Sequence, residues 1–199
     1  MLKKLKQCFF NFTKDHQFTT RLSLENSPIE VISHAKLLGT IIQDDLKWDL
    51  NTANLVKKAN SRMELLRRVA GFGAPIEDLK TIYILYVRSV LEHSSIVWHS
   101  SLTEENSADL ERIQKSAVKI ILGNQYKDYQ SGLNFLQLDK LDDRRQHLCH
   151  RFALKCLKNE KTRNMFPLSK KKHIMKTQGE AEGTLPINVT PFQPAISKQ

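Results

Sequence analysis

The strongest constraint on this chain is a switch of hydrophobic period near Asn51. Upstream, apolar residues alternate with polar ones or gather in short runs. Downstream, Leu55, Ala59, Met63, Leu66 and Ala70 recur at three-to-four spacing until Gly71 and Gly73 close the run. The first pattern suits a pleated strand, whose successive side chains point to opposite faces, and the second suits one stripe of a helix. The chain therefore reads as α+β and mostly helical. A short N-terminal antiparallel β ribbon is followed by a bundle of about four helices and a disordered C-terminal tail.

The ribbon is expected over residues 1–48. Thr19 to Glu25 alternates, Asn26-Ser-Pro28 has turn chemistry, and Ile29 to Ile32 forms a second short run. Lys36-Leu-Leu-Gly-Thr-Ile-Ile42 reads as a third strand, closed by Gln43-Asp44-Asp45. The helical region is expected over 49–168. Its second helix opens near Pro75, with Glu77 and Asp78 in the first turn, where acids suit the helix dipole. That helix carries a wide stripe from Leu79 through Ile82, Tyr83, Tyr86 and Val87 to Val90 and Leu91. A third begins at a Thr103 cap, carries Leu110, Ile113, Ala117, Ile120 and Ile121, and stops at Gly123-Asn124. Asn124 to Asp139 is a mixed segment. The fourth helix runs from about Lys140 to Asn159 with Leu141, Leu148, Phe152 and Cys156 inward. Periodicity is lost after Phe166, and 169–199 reads as the tail.

Composition narrows the function classes. At 199 residues and 40% hydrophobic, the chain is long enough for one ordinary core. No apolar run approaches the roughly 18–20 residues that a membrane-spanning helix needs. The basic start, Met1 to Phe10, runs straight into Asn11, Thr13, Lys14 and Asp15 without an apolar core or cleavage site, so the expectation is a nuclear or cytoplasmic chain, not a secreted one. Cys8, Cys149 and Cys156 are an odd count with no framework spacing, which speaks against a disulfide scaffold.

Lys and Arg total 31 against 21 Asp and Glu, a formal net charge of +10. A surplus of this size favours polyanionic partners through counterion release. The richest local source is the side of the first helix opposite its apolar stripe, with Lys57, Lys58, Arg62, Arg67 and Arg68. Arg144 and Arg145 occupy the corresponding side of the fourth helix. These residues are the candidate contacts to an RNA or DNA backbone.

Catalytic constellations are harder to find. Asp44-Asp45 follows an apolar run, as metal-binding aspartates often do, but no third carboxylate or returning strand accompanies it, so the pair reads as a turn. His147, Cys149, His150 and Cys156 fall on one helix. The two cysteines are two turns apart there, about 10 Å, too far for one zinc, and read as buried thiols. No nucleophile–His–acid set can be argued from spacing, and no glycine falls in a phosphate-loop pattern. No catalytic residue, metal ligand or cofactor is assigned.

Several stretches, taken in order, resemble one family. Ile29-Glu-Val-Ile-Ser-His-Ala-Lys-Leu-Leu-Gly-Thr-Ile-Ile42, Leu46-Lys-Trp48 and Val56-Lys-Lys-Ala59 resemble the end of the palm and start of the thumb in non-LTR (LINE-type) retrotransposon reverse transcriptases. Tyr83-Ile-Leu-Tyr-Val-Arg-Ser-Val-Leu-Glu-His-Ser-Ser-Ile-Val-Trp98 resembles the helix that follows. Leu110-Glu-Arg-Ile-Gln-Lys-Ser-Ala-Val-Lys-Ile-Ile-Leu-Gly123 and Arg144-Arg-Gln-His-Leu-Cys-His-Arg-Phe-Ala153 resemble the segments beyond it. The likeness runs from about residue 8 to residue 168. It departs from the family at Asn51, where a His is common, and at Leu37, where a Tyr is common. The resemblance implies a palm-end, thumb and connector region, with the catalytic aspartate hairpin upstream of the matched stretch and Asp44-Asp45 in the turn after the last palm strands. It further implies a grip on a template–primer backbone without polymerase chemistry in this chain. A stand-alone nucleic-acid-binding module, a protein-interaction domain and a non-functional relic of a transposon remain the alternatives.

Overall fold

The computed structural model describes residues 30–163 together with Cys8–Phe9, Ser23–Leu24 and Ser27–Pro28. Strand β1 (Cys8–Phe9) pairs with β4 (Glu30–Val31), and β2 (Ser23–Leu24) pairs antiparallel with β3 (Ser27–Pro28). The β1–β4 pair is parallel, unlike the antiparallel ribbon expected. Parallel neighbours, unlike antiparallel ones, cannot be joined by a tight turn. The rest of the alternating run around Thr19 to Glu25 and the expected tail at 169–199 lie outside the described residues.

The third expected strand is a hairpin. Strands β5 (His34–Leu37) and β6 (Thr40–Gln43) pair antiparallel from His34↔Gln43 to Leu37↔Thr40. The chain reverses at Leu38 and Gly39, whose φ values of 48° and 91° give a two-residue turn of the type that matches strand twist. Leu38 conceals this turn, because leucine seldom adopts positive φ. Gly39 answers a second demand as well. A Cβ there would lie 2.9 Å from Nε2 of His93, which donates to the Leu38 carbonyl at 3.0 Å.

The hairpin is tied to the helical part through the start of α1 (Asp49–Gly71). Asn51 Oδ1 accepts from Ile41 N at 3.1 Å, and Gln43 Oε1 accepts from Leu50 N at 3.0 Å. Asp49, in the first turn of α1, accepts from Asn106 Nδ2 at 2.7 Å. The expected stripe of α1 is the buried one: Leu55, Ala59, Met63 and Leu66 all face the core. Burying each of the larger side chains contributes about 1.5–3 kcal/mol.

Pro75 precedes α2 (Ile76–Ile82), which continues without a break through a π-helical stretch, Tyr83–Arg88, into α3 (Ser89–Leu91). Ser94, at φ 54°, turns the chain into α4 (Ser95–Trp98). Thr103 caps α5 (Glu104–Leu122), with Oγ1 accepting from Asn106 N at 3.2 Å. Helix α5 is central, packing against α1, α2, α6 and α7. The mixed segment contains α6 (Tyr129–Leu136), capped by Asp128, which accepts from Ser131 N at 2.9 Å. Gly132 of α6 approaches α5 so closely that a Cβ would lie 2.6 Å from Val118 Cγ1. Helices α7 (Leu141–Lys158) and α8 (Glu160–Arg163) end the described part. The mostly helical α+β class expected from the period switch is the class observed. The short helices α4, α6 and α8 add to the long ones anticipated.

The core is not wholly apolar. Gln114 of α5 is buried, and its Oε1 accepts from Tyr83 Oη at 2.6 Å. Its Nε2 donates to Tyr129 Oη and to the Asp139 carbonyl, each at 2.9 Å. Glu111, one turn earlier, accepts from the Tyr129 hydroxyl and from Leu141 N, the latter at 3.0 Å. One turn of α5 thus fastens the π-helical stretch, α6 and the N-terminus of α7. Burial holds the Tyr83 phenol well above its usual range. It raises Tyr129 too, with the Glu111 carboxylate adding to the effect.

Candidate nucleic-acid interface

The five cations expected on α1 do not act as one set. At about 100° per residue, positions 57 and 68 nearly superpose on the helix surface. Lys57, Arg67 and Arg68 are exposed and Lys58 is half-buried. Arg67 and Arg68 share Glu64, each at 3.4 Å. Such exposed pairs are weak, so a phosphate can displace the carboxylate at small cost. Arg62 is committed elsewhere. Its guanidinium donates to the Tyr86 carbonyl at 2.6 Å and lies 4.7 Å from the Tyr86 ring centroid. Lys57 and Lys58 make no ion pair among the described residues.

On α7 the expected contacts change more. Arg145 is 0% exposed and is withdrawn from any backbone-contacting surface. Its NH2 donates to Ser107 Oγ at 3.0 Å and to Asp142 Oδ1 at 3.3 Å, and its guanidinium carbon lies 5.9 Å from the Trp98 ring centroid. Burial lowers its pKa, although Asp142 counteracts this. The helix is turned relative to the expected stripe: Arg145 joins Leu141 and Cys156 on the buried side, while Phe152 is 44% exposed. The reason is the Trp98 and Ser107 partners, which no spacing along α7 reveals. Arg144 pairs with Glu92, which also lies 3.7 Å from Arg88. It therefore belongs to an internal ion cluster and is 34% exposed.

Three cations beyond the expected set stand open on α7. Arg151, Lys155 and Lys158 are exposed and make no ion pair among the described residues. Their signal was a four-then-three spacing in a stretch, 144–158, that contains no acid.

The other sequence candidates fall out plainly. Asp44 and Asp45 occupy a turn after β6, where Asp45 Oδ1 accepts from Lys47 N at 2.9 Å. Cys156 is buried, and half-buried Cys149 contacts the Ser95 carbonyl at 3.9 Å, its thiol pKa raised by burial. Among the described residues, no group of three or more His, Cys, Asp or Glu side chains is placed to hold a metal ion. No helix there is long and apolar enough to cross a membrane. No protein-family model, curated protein or solved structure matches the chain.

Proposed function

We propose that this chain is a thumb-like unit that holds the phosphate backbone of RNA or DNA and carries out no polymerase chemistry of its own. It is akin to the palm-end, thumb and connector region of non-LTR retrotransposon reverse transcriptases. The observation that carries the reading is a long helix, α1, with exposed cations on its outer side, tied at its first turn to a β hairpin. Support also comes from how the resembling stretches divide. Ile29 to Ile42 covers the hairpin, Tyr83 to Trp98 runs from the π-helical stretch through α4, Leu110 to Gly123 lies on α5, and Arg144 to Ala153 lies on α7.

The test is fluorescence anisotropy of the full chain with an RNA–DNA template–primer duplex across a salt series. Each phosphate neutralised contributes about −0.9 to the slope of log K against log salt. Replacing Lys57 and Arg68, which share one side of α1, by Gln should flatten that slope by about 2. Binding that is absent or insensitive to salt refutes the proposal. Incorporation of nucleotide in a primer-extension assay with Mg²⁺ or Mn²⁺ refutes its non-catalytic part.

A second reading, a protein-interaction module, draws on the hairpin turn, where Leu37 and Leu38 are exposed. Self-association in sedimentation velocity that Leu37→Ser and Leu38→Ser abolish would favour it. A monodisperse monomer would count against it.

A further inference from the structure

We infer that α7 bears a second backbone track, Arg151, Lys155 and Lys158, that takes single-stranded nucleic acid. The inference rests on the polyanion-binding reading above but places it on a different helix.

The placement follows from helix geometry. Residues 151, 155 and 158 fall within about 60° of one another around the axis at about 100° per residue. They are spaced by roughly one turn each, about 5–6 Å, comparable to the separation of consecutive phosphates along a strand. All three are exposed. A solvated face normally mixes signs, as α1 does with Glu64 beside Arg67 and Arg68 and α5 does with the 2.9 Å pair of Arg112 and Asp109. Here like charges stand a turn apart with no side-chain carboxylate paired to them on α7, although the helix dipole favours Lys155 and Lys158 in its last turn. Their charge stays open to an anionic partner.

The N-terminal end of the same line adds a shape. Arg144, His147, Leu148, His150 and Arg151 line a shallow open groove of about 210 Å³. Arg144 is occupied by Glu92, so the groove offers one free guanidinium, two imidazole rings and the Leu148 side chain. Two imidazole rings beside the half-buried Leu148 offer stacking surface for an unstacked base, while the backbone continues along Lys155 and Lys158. A duplex keeps its bases stacked inside and has no use for such a groove. A lipid surface needs a row of large apolar side chains next to the cations, and α7 exposes a single one, Phe152, its buried side being packed against α4 and α5.

The experiment is anisotropy of a fluorescein-labelled oligouridylate strand with the full chain across a salt series, with three variants. Replacing Arg151, Lys155 and Lys158 together by Gln should flatten the salt slope by about 2–3 and weaken binding about tenfold or more at moderate salt. Keeping the charge with Lys155→Arg and Lys158→Arg in the otherwise wild-type chain should keep wild-type behaviour. His147→Ala with His150→Ala should weaken binding while leaving the slope unchanged. Urea unfolding of each variant must overlay wild type, which the exposure of these side chains predicts.

If the α7 variant keeps the wild-type slope while the α1 variant flattens it, the α7 track is overturned and the broader reading stands. If wild type shows no salt-dependent binding to either the oligouridylate or the duplex, the broader reading fails first. If the α7 variant loses binding to phosphatidylserine vesicles but keeps binding to the oligouridylate, the track is a membrane contact and the inference is overturned.

Discussion

Replacing Gln114 by Ala should destabilise the chain by about 3 kcal/mol. The magnitude follows from what the carboxamide holds. Tyr83 is 0% exposed, and its hydroxyl donates to Gln114 Oε1 at 2.6 Å, so truncation strands a buried phenol at a cost of about 1–3 kcal/mol. The Asp139 carbonyl, 2.9 Å from Nε2, sits nearer solvent and costs less to leave unpaired. The vacated side-chain volume, roughly 50–60 Å³, adds on the order of 1 kcal/mol at about 24 cal/mol per Å³ if the site does not collapse. The assay is urea unfolding followed by far-UV circular dichroism, with Tyr83→Phe and the double variant completing a cycle. The melting temperature should fall by about 6–12 °C, at roughly 2–4 °C per kcal/mol for a chain of this size. In the Tyr83→Phe background the same truncation should cost about 1–2 kcal/mol less, because the donor is already gone. A cost below about 1 kcal/mol, or simple additivity, would refute the claim that this pair fastens the π-helical stretch to α5.

Three further outcomes are expected. Gly132→Ala should destabilise by about 1–3 kcal/mol through overpacking, since its Cβ would meet Val118 Cγ1 at 2.6 Å, and Val118→Ala should recover part of the loss in a thermal melt. Leu38→Asn should raise the urea midpoint by the equivalent of about 0.5–1 kcal/mol, because Asn tolerates the φ of 48° that Leu38 adopts, and Gly39→Ala should lower it. His99 has its pKa lowered from 6.5 by burial, with Arg145 adding to the effect. The unfolded chain therefore takes up this proton first. The contribution of His99 is full above about pH 6.5, declines below it and levels off once the folded value is passed, and His99→Gln should remove that part of the pH dependence of the urea midpoint.

Much of the architecture was legible in the residues. Leu55, Ala59, Met63 and Leu66 announced α1, Thr103 announced the start of α5, and Pro75 with Glu77 and Asp78 announced α2, because each signal is local and repeats at the period of its element. The helix α6 was present too, in Asp128 and Ser131 followed by Leu133 and Leu136, but eight residues hold too few turns for a period to stand out.

Tertiary structure alone decided the hairpin turn, the phase of α7 and which cations stay open. Leu38 accepts a left-handed conformation because the Leu38 carbonyl and Gly39 are pinned by His93, a residue more than fifty positions away. Arg145 goes inward because Trp98, Ser107 and Asp142 converge on it. Arg62 is held by the Tyr86 carbonyl and ring, Arg144 is held by Glu92, and Arg151, Lys155 and Lys158 remain exposed. A sequence states how many charges a chain carries and on which turn of which helix they lie. It does not state which of them other elements neutralise, because those partners are brought close only when distant segments pack.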